Sequence, residues 1–404
     1  MKEKYYRVAK TISRWKLDNP FENWLGGLAD RSEFWKRVYV LYYKLADSEY
    51  YRKGLPYLRK EIERQRPNAQ ITSWGGEERD MIYSLHRFGA SFEEYFVFQF
   101  YNLNAEGRSR FNTLKMQYGY CEQVNGKNVR EKFEDKGKCY ELFKGYYKRD
   151  VFTYLTEADS IQLNHFVEKH PKFICKPLSG HSGQGIKIYD IKSEDEIEHV
   201  KLTIQGGFVV EELIEQAHTM SDLHPESINT LRIFTFRIKN KVEILGAAIR
   251  MGTGKSFVDN AGAGGIYVGV DINEGVVNTI ARDNLGNKYL KHPDTGVIFP
   301  GFKVPDWEDA KQMIRDMALV IPDATMISWD LAYSVKGWCM VEGNDVGEAY
   351  LYQAQTQTGA KQRIISKIDE YVIENAKQAQ KTDGLEGAGQ EVADAEPCHK
   401  RPTL

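Results

Sequence analysis

Cysteine is scarce in this sequence: the 404 residues include five, and their positions show no paired spacing of the kind that binds zinc. No apolar run approaches the ~20 residues that a membrane-spanning helix needs. An excess of one charge sign is also missing, since 55 Lys and Arg face 57 Asp and Glu. This balance removes the basic field expected of a nucleic-acid-binding protein. The first residues, Met-Lys-Glu-Lys-Tyr-Tyr, lack the apolar core of a secretory signal, so we expect a soluble, cytoplasmic protein without a nucleic-acid partner.

Apolar and aromatic residues are abundant enough, at 42% and 12%, to bury a large core, and the length favours two or three domains. Residues 1–105 are rich in aromatics at helical spacing, which predicts a helical N-terminal region. At its start, lysines and arginines surround one apolar face formed by Tyr5, Val8, Ile12 and Trp15. We favour a helix docked on its own domain, and peripheral membrane contact through residues 1–16 is the alternative.

The sequence changes character beyond residue 105. Short β-type runs alternate with glycine-rich turns and a few helices, which predicts an α+β catalytic region over residues 106–375. Residues 376–404 are polar and rich in Ala and Gly, with almost nothing to bury. We therefore expect a disordered tail there.

The first candidate site is a lysine followed by a glycine-rich loop. Residues 173–186 predict a strand that carries Lys176, then a loop that contains Ser179, Gly180, Ser182, Gly183 and Gly185. Such glycines let backbone N–H groups turn towards an anion, and the lysine can neutralise a phosphate. The segment is neither a Walker loop nor a dinucleotide-binding fingerprint, and a plain hairpin with a glycine turn is the alternative.

The second candidate is an apolar strand at residues 207–215 that ends in acids. Its backbone groups could contact a purine edge, and a carboxylate near its end could reach ribose hydroxyls; the acids are Glu211, Glu212 and Glu215. Solvated acids at the end of a strand are common, so this segment alone is a weak signal.

The third candidate is the strongest, and it consists of Asp330, Glu342 and Asn344. Two apolar strands joined by Val335-Lys336-Gly337 predict a hairpin that brings Asp330 near Glu342. Glu342 and Asn344 are two residues apart, so their side chains project from one face of an extended strand. Two carboxylates and an amide oxygen are hard ligands that suit Mg²⁺ carrying nucleotide phosphates. A polar strand end with a turn asparagine is the alternative.

The fourth candidate lies between the others and consists of Arg232, Arg250 and a small-residue loop that begins at Asn260. Arginines at such positions stabilise the charge that develops on a transferring phosphoryl group. A surface ion pair is the alternative for either arginine taken singly.

In their order along the chain, these residues resemble the ATP-grasp superfamily over roughly residues 130–355, and most closely its sugar-transfer-associated group. The resemblance implies two α+β subdomains, around residues 140–215 and 216–375, that clamp ATP between antiparallel sheets. The helical first 105 residues depart from the usual N-terminal subdomain of the superfamily, so they are expected to recognise the acceptor or to form a variant domain.

The resemblance also implies roles for individual residues. Lys136 and Lys176 would reach the nucleotide phosphates, and the segment from Ser179 to Gly185 would cover them. Adenine would lie against Glu211, Glu212 and Leu213, with Glu215 as the ribose acid. Magnesium would bind to Asp330, Glu342 and Asn344. The catalytic residues would be Arg250, Arg232 and Asn260, which are similar to the arginines and asparagine of glutathione-synthetase-like members.

The implied activity is an ATP-dependent carboxylate–amine ligation through an acyl phosphate, which releases ADP and phosphate. The group's description suggests a sugar acid or amino acid used in surface polysaccharide biosynthesis. Two alternatives stay open: a kinase on the same fold that phosphorylates a hydroxyl group, and a non-catalytic nucleotide-binding module. We expect Asp330→Ala or Glu342→Ala to abolish turnover of Mg-ATP and to leave the fold largely intact.

Overall fold

The structure, a computed structural model of the chain, describes residues 19–49, 51–52, 54–56, 63, 74–180, 185–204 and 206–393. The chain divides into two compact units, residues 1–361 and 362–404. The first unit combines antiparallel sheets with helices, which confirms the α+β class. The basic helix predicted for residues 1–16, with its alternative of membrane contact, lies outside the described residues.

The N-terminal region is helical, as predicted, and helices also connect and flank the sheets. In chain order the described helices are α1 (Pro20–Ala29), α2 (Glu33–Ala46), α3 (Trp74–Phe88), α4 (Phe92–Val97), α5 (Ala105–Ser109), α6 (Leu114–Val124), α7 (Val129–Glu134), α8 (Lys136–Tyr147), α9 (Ser160–Lys169), α10 (Glu194–Thr203), α11 (His218–Ser221), α12 (Trp307–Val320), α13 (Tyr350–Thr356) and α14 (Lys361–Ala393). Among these helices, none combines the length and apolar character that crossing a bilayer requires.

The strands form two antiparallel sheets. In chain order they are β1 (Val151–Tyr154), β2 (Lys172–Pro177), β3 (Lys187–Asp190), β4 (Phe208–Glu212), β5 (Thr230–Ile238), β6 (Lys241–Met251), β7 (Ile266–Val270), β8 (Ala281–Arg282), β9 (Lys288–Tyr289), β10 (Met326–Ser334) and β11 (Gly337–Asn344). The smaller sheet has the order β1-β4-β2-β3, and the larger has the order β11-β10-β5-β6-β7-β8-β9.

The smaller sheet buries one face against α9 and α10. Phe152, Phe173 and Val210 from three of its strands share a core with Leu163 of α9 and Val200 of α10. Side chains alternate between the faces of a strand, so the residues between these point the other way. Lys176 and Glu211 are among those, and they face the cleft described below.

The larger sheet is covered on both faces, because successive residues of its central strands enter different cores. In β6, Ile249 packs with α8 and α12, whereas Ala248 packs with the aromatic core of the N-terminal region. Strand β7 repeats the pattern, since Val268 enters the first core and Tyr267 the second. The N-terminal helices and α13 therefore together form the second cover of the larger sheet.

Aromatic side chains fill the core between the N-terminal helices and the larger sheet. Phe98 and Phe100 are fully buried and contact Phe111, with ring centroids 4.9 and 5.4 Å apart respectively. A buried ion pair adds a polar anchor: Arg108 of α5 donates through both terminal nitrogens to Asp80 of α3, at 2.9 and 2.7 Å. The concentration of aromatics in residues 91–103 thus reflects packing.

In its described part, the second unit is the helix α14, which runs from Lys361 to Ala393. Residues 376–393 are helical here, although their composition predicts a disordered tail. Their many Ala, Gln, Lys and Glu residues have high intrinsic helix propensity, which favours a helix even with little to bury. Residues 394–404 of the expected tail lie outside the described residues, and the domain boundaries drawn from the sequence stay predictions.

Phe143→Ala is expected to lower the free energy of unfolding by about 3–5 kcal/mol, the usual cost of truncating a buried phenylalanine. Phe143 of α8 is fully buried, and its ring lies 5.8 Å from that of Phe133 and 5.4 Å from that of Trp329. Urea unfolding followed by tryptophan fluorescence measures the change. The neighbouring Leu142 is 39% exposed, so Leu142→Ala serves as the control; an equal loss in both variants would contradict this packing.

Candidate active site between the two sheets

The β10–β11 hairpin brings Asp330, Glu342 and Asn344 together. Asp330 pairs directly with Glu342 across the two strands, and Asn344 pairs with Ser328. The hairpin turns at Gly337, whose φ of 85° favours a residue without a side chain. Asp330 is fully buried, whereas Glu342 and Asn344 are half-buried. The three side chains therefore lie on one face at the open end of the hairpin.

Two arginines hold Asp330 from the neighbouring strands. Arg232 of β5 lies directly opposite Asp330 in the sheet, and it donates through Nε and Nη2 to the two carboxylate oxygens at 2.7 and 2.6 Å. Arg250 of β6 approaches one of these oxygens to 3.1 Å. It also donates to the Thr230 hydroxyl at 2.9 Å and lies 3.2 Å from Asp259. Both oxygens of Asp330 therefore already accept from guanidinium groups.

A further acid, Glu348, joins this group from the segment that follows β11. Its backbone N–H donates to the Ser328 hydroxyl at 2.9 Å, and its carboxylate lies 3.5 Å from Arg232. Neither Glu348 nor Asp259 was identified from the sequence. The only signals were an acid four residues after Asn344 and one directly before Asn260, and neither spacing is informative without the strand register.

These side chains form an arginine–carboxylate cluster in which two guanidinium groups face four carboxylates; its members are Arg232, Arg250, Asp259, Asp330, Glu342 and Glu348. Burial disfavours the charge of Asp330, but the two arginines outweigh it and hold the pKa of Asp330 well below its usual range. Burial raises the pKa of Glu342, and the charge of Asp330 raises it further. Burial also raises the pKa of Glu348. The cluster thus holds more negative charge than its arginines balance.

Lys136 reaches the site from the start of α8, which packs against β11. The helix is capped by Asp135, whose carboxylate accepts from the N–H groups of Gly137 and Lys138 at 2.9 and 3.1 Å. The cap fixes the first turn, so the Lys136 ammonium reaches the Gly180 carbonyl at 2.9 Å. Burial lowers the pKa of Lys136, and the charge of Lys176 adds to the effect.

Lys176 and Glu211 lie side by side on β2 and β4 of the smaller sheet. The Lys176 ammonium is 2.8 Å from one Glu211 oxygen, and Arg149 binds the other at 2.5 Å. Glu211 is only 3% exposed. Lysine and arginine outweigh the effect of burial, so the pKa of Glu211 is lowered. Both carboxylate oxygens are thus engaged, and Arg149, 62 residues away in the chain, was not identified from the sequence.

The other acids of this segment have different surroundings. Glu212 accepts from the Asp150 backbone N–H at 2.9 Å and lies 3.2 Å from Lys336. Glu215 is exposed, and within the described chain its carboxylate makes no ion pair. Together with Leu213 and Lys336 these two acids border a hinge cavity of about 280 Å³. Of the three acids, Glu215 is therefore the one whose carboxylate is available to a ligand.

A cleft of about 560 Å³ joins these groups. Residues of the larger sheet and of the smaller sheet face each other across it, and α8 closes one end; its lining includes Phe133, Lys136, Tyr147, Lys176, Gly180, Glu211, Glu342 and Asn344. Tyr147 also borders the hinge cavity, so the two spaces adjoin.

The glycine-rich loop is described only at its ends. Ser179 and Gly180 are exposed at the mouth of the cleft, and Ser182 and Gly183 lie outside the described residues. Gly185 has a φ of 74°, and a Cβ there would lie 2.8 Å from the Pro177 ring. A larger residue at 185 would therefore strain the backbone and clash with the ring.

Asn260 does not join the arginine–carboxylate cluster through its side chain in this structure. Its amide oxygen accepts from the Gly262 N–H at 2.8 Å and so caps the short turn Ala261–Ala263. The preceding residue, Asp259, provides the contact with Arg250 and also accepts from the Thr230 hydroxyl. Asn260 thus positions the segment that carries Asp259.

Two antiparallel sheets that face each other across a cleft of lysines and carboxylates define the ATP-grasp class of fold. The chain belongs to the sugar-transfer-associated ATP-grasp family, whose sequence model matches residues 115–370. Membership confirms the resemblance predicted from the sequence. No curated protein matches the chain.

Solved structures with similarity to this chain include three ATP-grasp enzymes. The ADP complex of N5-carboxyaminoimidazole ribonucleotide synthetase has 8% identity and a TM-score of 0.37 over 56% of this chain and 48% of its own, about half its length. D-alanyl-alanine synthetase A from Vibrio cholerae O1 has 9% identity and a TM-score of 0.39, over 62% of this chain and 67% of its own. The D-alanine–D-alanine ligase from Coxiella burnetii has 10% identity and a TM-score of 0.40, over 64% and 62%.

Replacing Glu342 with Gln is expected to raise the free energy of unfolding at pH 8 and to leave it nearly unchanged near pH 4.5. The pKa of Glu342 in the folded protein is raised above its ordinary value of 4.5, so the folded state binds this proton more tightly than the unfolded chain. Stability of the natural protein is therefore lost as pH rises above that value. The glutamine side chain of the variant has no proton to lose. Urea unfolding at both pH values, in EDTA, measures the difference.

Glu212→Gln is the matched control, and its change in stability at pH 8 is expected to have the opposite sign. Burial disfavours its charge, but the Asp150 N–H and Lys336 lower the pKa of Glu212 overall. Its contribution to stability is present above the ordinary carboxyl pKa and is lost as pH falls, so this variant should be less stable at pH 8. Equal destabilisation by both substitutions would contradict the like-charge interaction of Glu342 with Asp330.

Proposed function

We propose that the protein is an ATP-dependent carboxylate–amine ligase that acts through an acyl phosphate and releases ADP and phosphate. The observation that carries the proposal is the single cleft in which Lys136 and Lys176 face Glu342 and Asn344. Cations from one side and hard oxygen ligands from the other suit a nucleoside triphosphate with its metal. The family assignment supports the same conclusion.

The two lysines would bind the phosphates of ATP. Each makes a contact that a phosphate can replace or supplement: Lys136 with the Gly180 carbonyl and Lys176 with Glu211. The base and ribose would then lie in the hinge cavity, beside Leu213 and the exposed carboxylate of Glu215. Glu211, with both oxygens engaged, would position Lys176 and would not bind the ribose.

The site fits Mg²⁺, which the family implies. The carboxylates of Asp330 and Glu342 and the Asn344 amide are hard oxygen donors, and the surplus negative charge of the arginine–carboxylate cluster suits a divalent cation. Guanidinium groups occupy both Asp330 oxygens, so Glu342 and Asn344 would hold the ion most directly. When bound, Mg²⁺ neutralises charge on the phosphate oxygens.

Arg250 would stabilise the reacting groups. Its Nε and Nη2 contact Thr230, Asp259 and Asp330, whereas its Nη1 has no partner among the described residues. A guanidinium fixed on one side and open on the other is preorganised to bind the transferred phosphoryl group or the tetrahedral oxyanion. Arg232 donates to Asp330 and forms an ion pair with Glu348 at 3.5 Å, so its role would be to position them.

In this reaction the substrate carboxylate attacks the γ-phosphorus, and ADP leaves. An amine then attacks the acyl carbon, and the bond to phosphate breaks. Such chemistry needs no protein nucleophile and depends on positioning and charge neutralisation. The family's description, sugar-transfer associated, supports a substrate linked to sugar chemistry. We propose a sugar acid or an amino acid as the substrate, used in the cytoplasm for surface polysaccharide biosynthesis.

The ligase proposal is tested by phosphorus NMR of the protein with Mg-ATP, a panel of uronic and amino acids, and hydroxylamine as a trap. We expect ADP, inorganic phosphate and a hydroxamate from one carboxylate. Glu342→Gln should abolish this turnover while it remains folded. A new phosphoester signal without free phosphate would instead identify a kinase, and AMP with pyrophosphate would overturn the mechanism.

Glu342 is a better position than Asp330 for testing turnover by substitution. Asp330→Ala would leave two buried guanidinium groups without their partner, and removing one member of a buried ion pair typically costs about 3–5 kcal/mol. We therefore expect this variant to lose stability as well as turnover, and Glu342→Gln is the cleaner test.

Lys176→Met is expected to weaken the binding of ATP by about tenfold to a hundredfold, the usual effect of losing a charged hydrogen bond. Isothermal titration calorimetry measures the dissociation constant. Lys187 lies on the adjacent strand β3 and is exposed, so Lys187→Met is the matched control and should bind ATP normally. Equal affinities in the two variants would rule out the phosphate role of Lys176.

A further inference from the structure

Arg149 lies between α8 and β1, and its side chain is only 3% exposed. Nε and Nη2 of its guanidinium group donate to one oxygen of Glu211, at 3.0 and 2.5 Å. Nη1 donates to the backbone carbonyls of Tyr147 and Met340, at 3.1 and 2.7 Å. Glu211 belongs to β4 of the smaller sheet and Met340 to β11 of the larger sheet, so this one side chain connects the two walls of the cleft.

The bonds to Glu211 determine where the Lys176 ammonium lies. An arginine fork often binds both oxygens of a carboxylate, but both donors of Arg149 converge on the same oxygen. The other oxygen is left to Lys176, whose ammonium lies 2.8 Å from it. Because the Glu211 side chain is buried and held by the fork, it offers the ammonium a fixed partner at the wall of the cleft. Arg149 therefore positions Lys176 through Glu211.

The bond to Met340 acts on the opposite wall. The register of β10 and β11 shifts between Met340 and Glu342, so that β11 carries one extra residue there. Such a bulge changes the direction of the neighbouring side chains, and Glu342 is the first paired residue beyond it. Arg149 binds the backbone directly before this bulge. The same guanidinium group thus supports the part of β11 that leads to the proposed metal ligands.

The Arg149 guanidinium has little freedom to move. It lies 4.7 Å from the centroid of the buried Tyr147 ring, where a cation is attracted to the aromatic face. It makes four hydrogen bonds with its five N–H groups, and a movement would break bonds to both sheets. Lysine could not make these contacts, because an ammonium has only three N–H groups and no planar fork.

We propose that Arg149 is a positioning residue for the nucleotide, which fixes the distance between Lys176 on one wall and the proposed metal ligands of β11 on the other. The inference rests on the ligase function proposed above, in which the phosphates and their metal lie between these groups. Groups that act together on one ligand must be held to within about 0.5 Å of their productive positions. Because the donors of Arg149 are engaged within the protein, it acts through its partners and not by contact with the nucleotide.

A double-mutant cycle tests whether Arg149 acts through Lys176. Titration calorimetry with ATP in EDTA is carried out on the natural protein, Arg149→Ala, Lys176→Met and the double variant. We expect Arg149→Ala to weaken binding about tenfold by itself and less than about threefold in the Lys176→Met background. A purely structural ion pair would give the same loss in both backgrounds. That result, or no loss in either background, would overturn the proposal.

Magnesium tests the contact with β11. The same titrations are repeated with Mg²⁺ in place of EDTA, and the gain in ATP affinity is the ratio of the two dissociation constants. We expect this gain to be at least about threefold smaller in Arg149→Ala than in the natural protein, because the strand that carries Glu342 and Asn344 loses its support. An equal gain in the two proteins would overturn the connection between the walls.

Arg237→Ala is the matched control for a loss of stability alone. Arg237 is also a buried arginine, and it donates to three backbone carbonyls, but it lies at the end of β5 that is remote from Arg232. We expect this variant to keep the ATP affinity and the magnesium gain of the natural protein. A loss as large as that of Arg149→Ala would attribute the effect to general destabilisation and overturn the proposal.

Urea unfolding establishes that each variant is folded. If Arg149→Ala does not fold, Arg149→Lys takes its place in the cycle, since it keeps a positive charge beside Glu211 and lacks the fork. We expect the same pattern with a smaller loss, about threefold in the presence of Lys176. An ATP affinity equal to that of the natural protein in Arg149→Lys would overturn the requirement for a guanidinium group.

The two proposals fail separately. Hydroxamate formation by the natural protein together with an additive cycle would reject the role of Arg149 and retain the ligase. A coupled cycle without hydroxamate from any carboxylate would retain the positioning of Lys176 and reject the ligase assignment. If the natural protein binds no ATP with or without Mg²⁺, both proposals are rejected.

Discussion

The paired arginines around Asp330 are the interaction on which the site depends. Arg232, Arg250 and Asp330 come from β5, β6 and β10, so their contacts join three neighbouring strands at one position along the larger sheet. A fully buried carboxylate is stable only because these cations surround it. The other three acids of the cluster, Asp259, Glu342 and Glu348, lie around this ion-paired carboxylate. Burial raises the pKa of Glu342, and repulsion from Asp330 adds to the effect because the arginines keep Asp330 charged.

The cluster shows how stability and function oppose each other here. Excess negative charge at Glu342 and Glu348 destabilises the folded chain at neutral pH. A protein that bound no ligand here would be more stable without these charges. An excess of negative charge is expected at a site that binds a cation. On the smaller sheet the excess charge is positive, because Lys176 and Arg149 share the single carboxylate of Glu211.

Local patterns in the sequence predicted the parts of the site that depend on local structure. The turn at 335–337 and the two-residue spacing of Glu342 and Asn344 determine the hairpin and its polar face. Contacts between distant segments could not be predicted in this way. Arg149 binds Glu211, and Glu348 reaches Arg232, only because of strand register and of loops that follow the strands. The same limit applies to the aromatic residues 91–103, because the helical spacing of the N-terminal aromatics does not predict that they pack on the second face of the larger sheet.

The burial of strands β6 and β7 on both faces limits how this protein can be truncated. Their alternate residues belong to different cores, and Ala248 and Tyr267 lie in the core that the N-terminal region shares with α13. A fragment that began after residue 105 would lose the N-terminal part of this core and expose the apolar surface beneath it to water, and such surfaces promote aggregation. The boundaries of the family match, residues 115–370, therefore mark shared sequence and do not mark an autonomous folding unit. If the catalytic region is expressed by itself or fused to another N-terminal domain, other residues must cover this apolar surface.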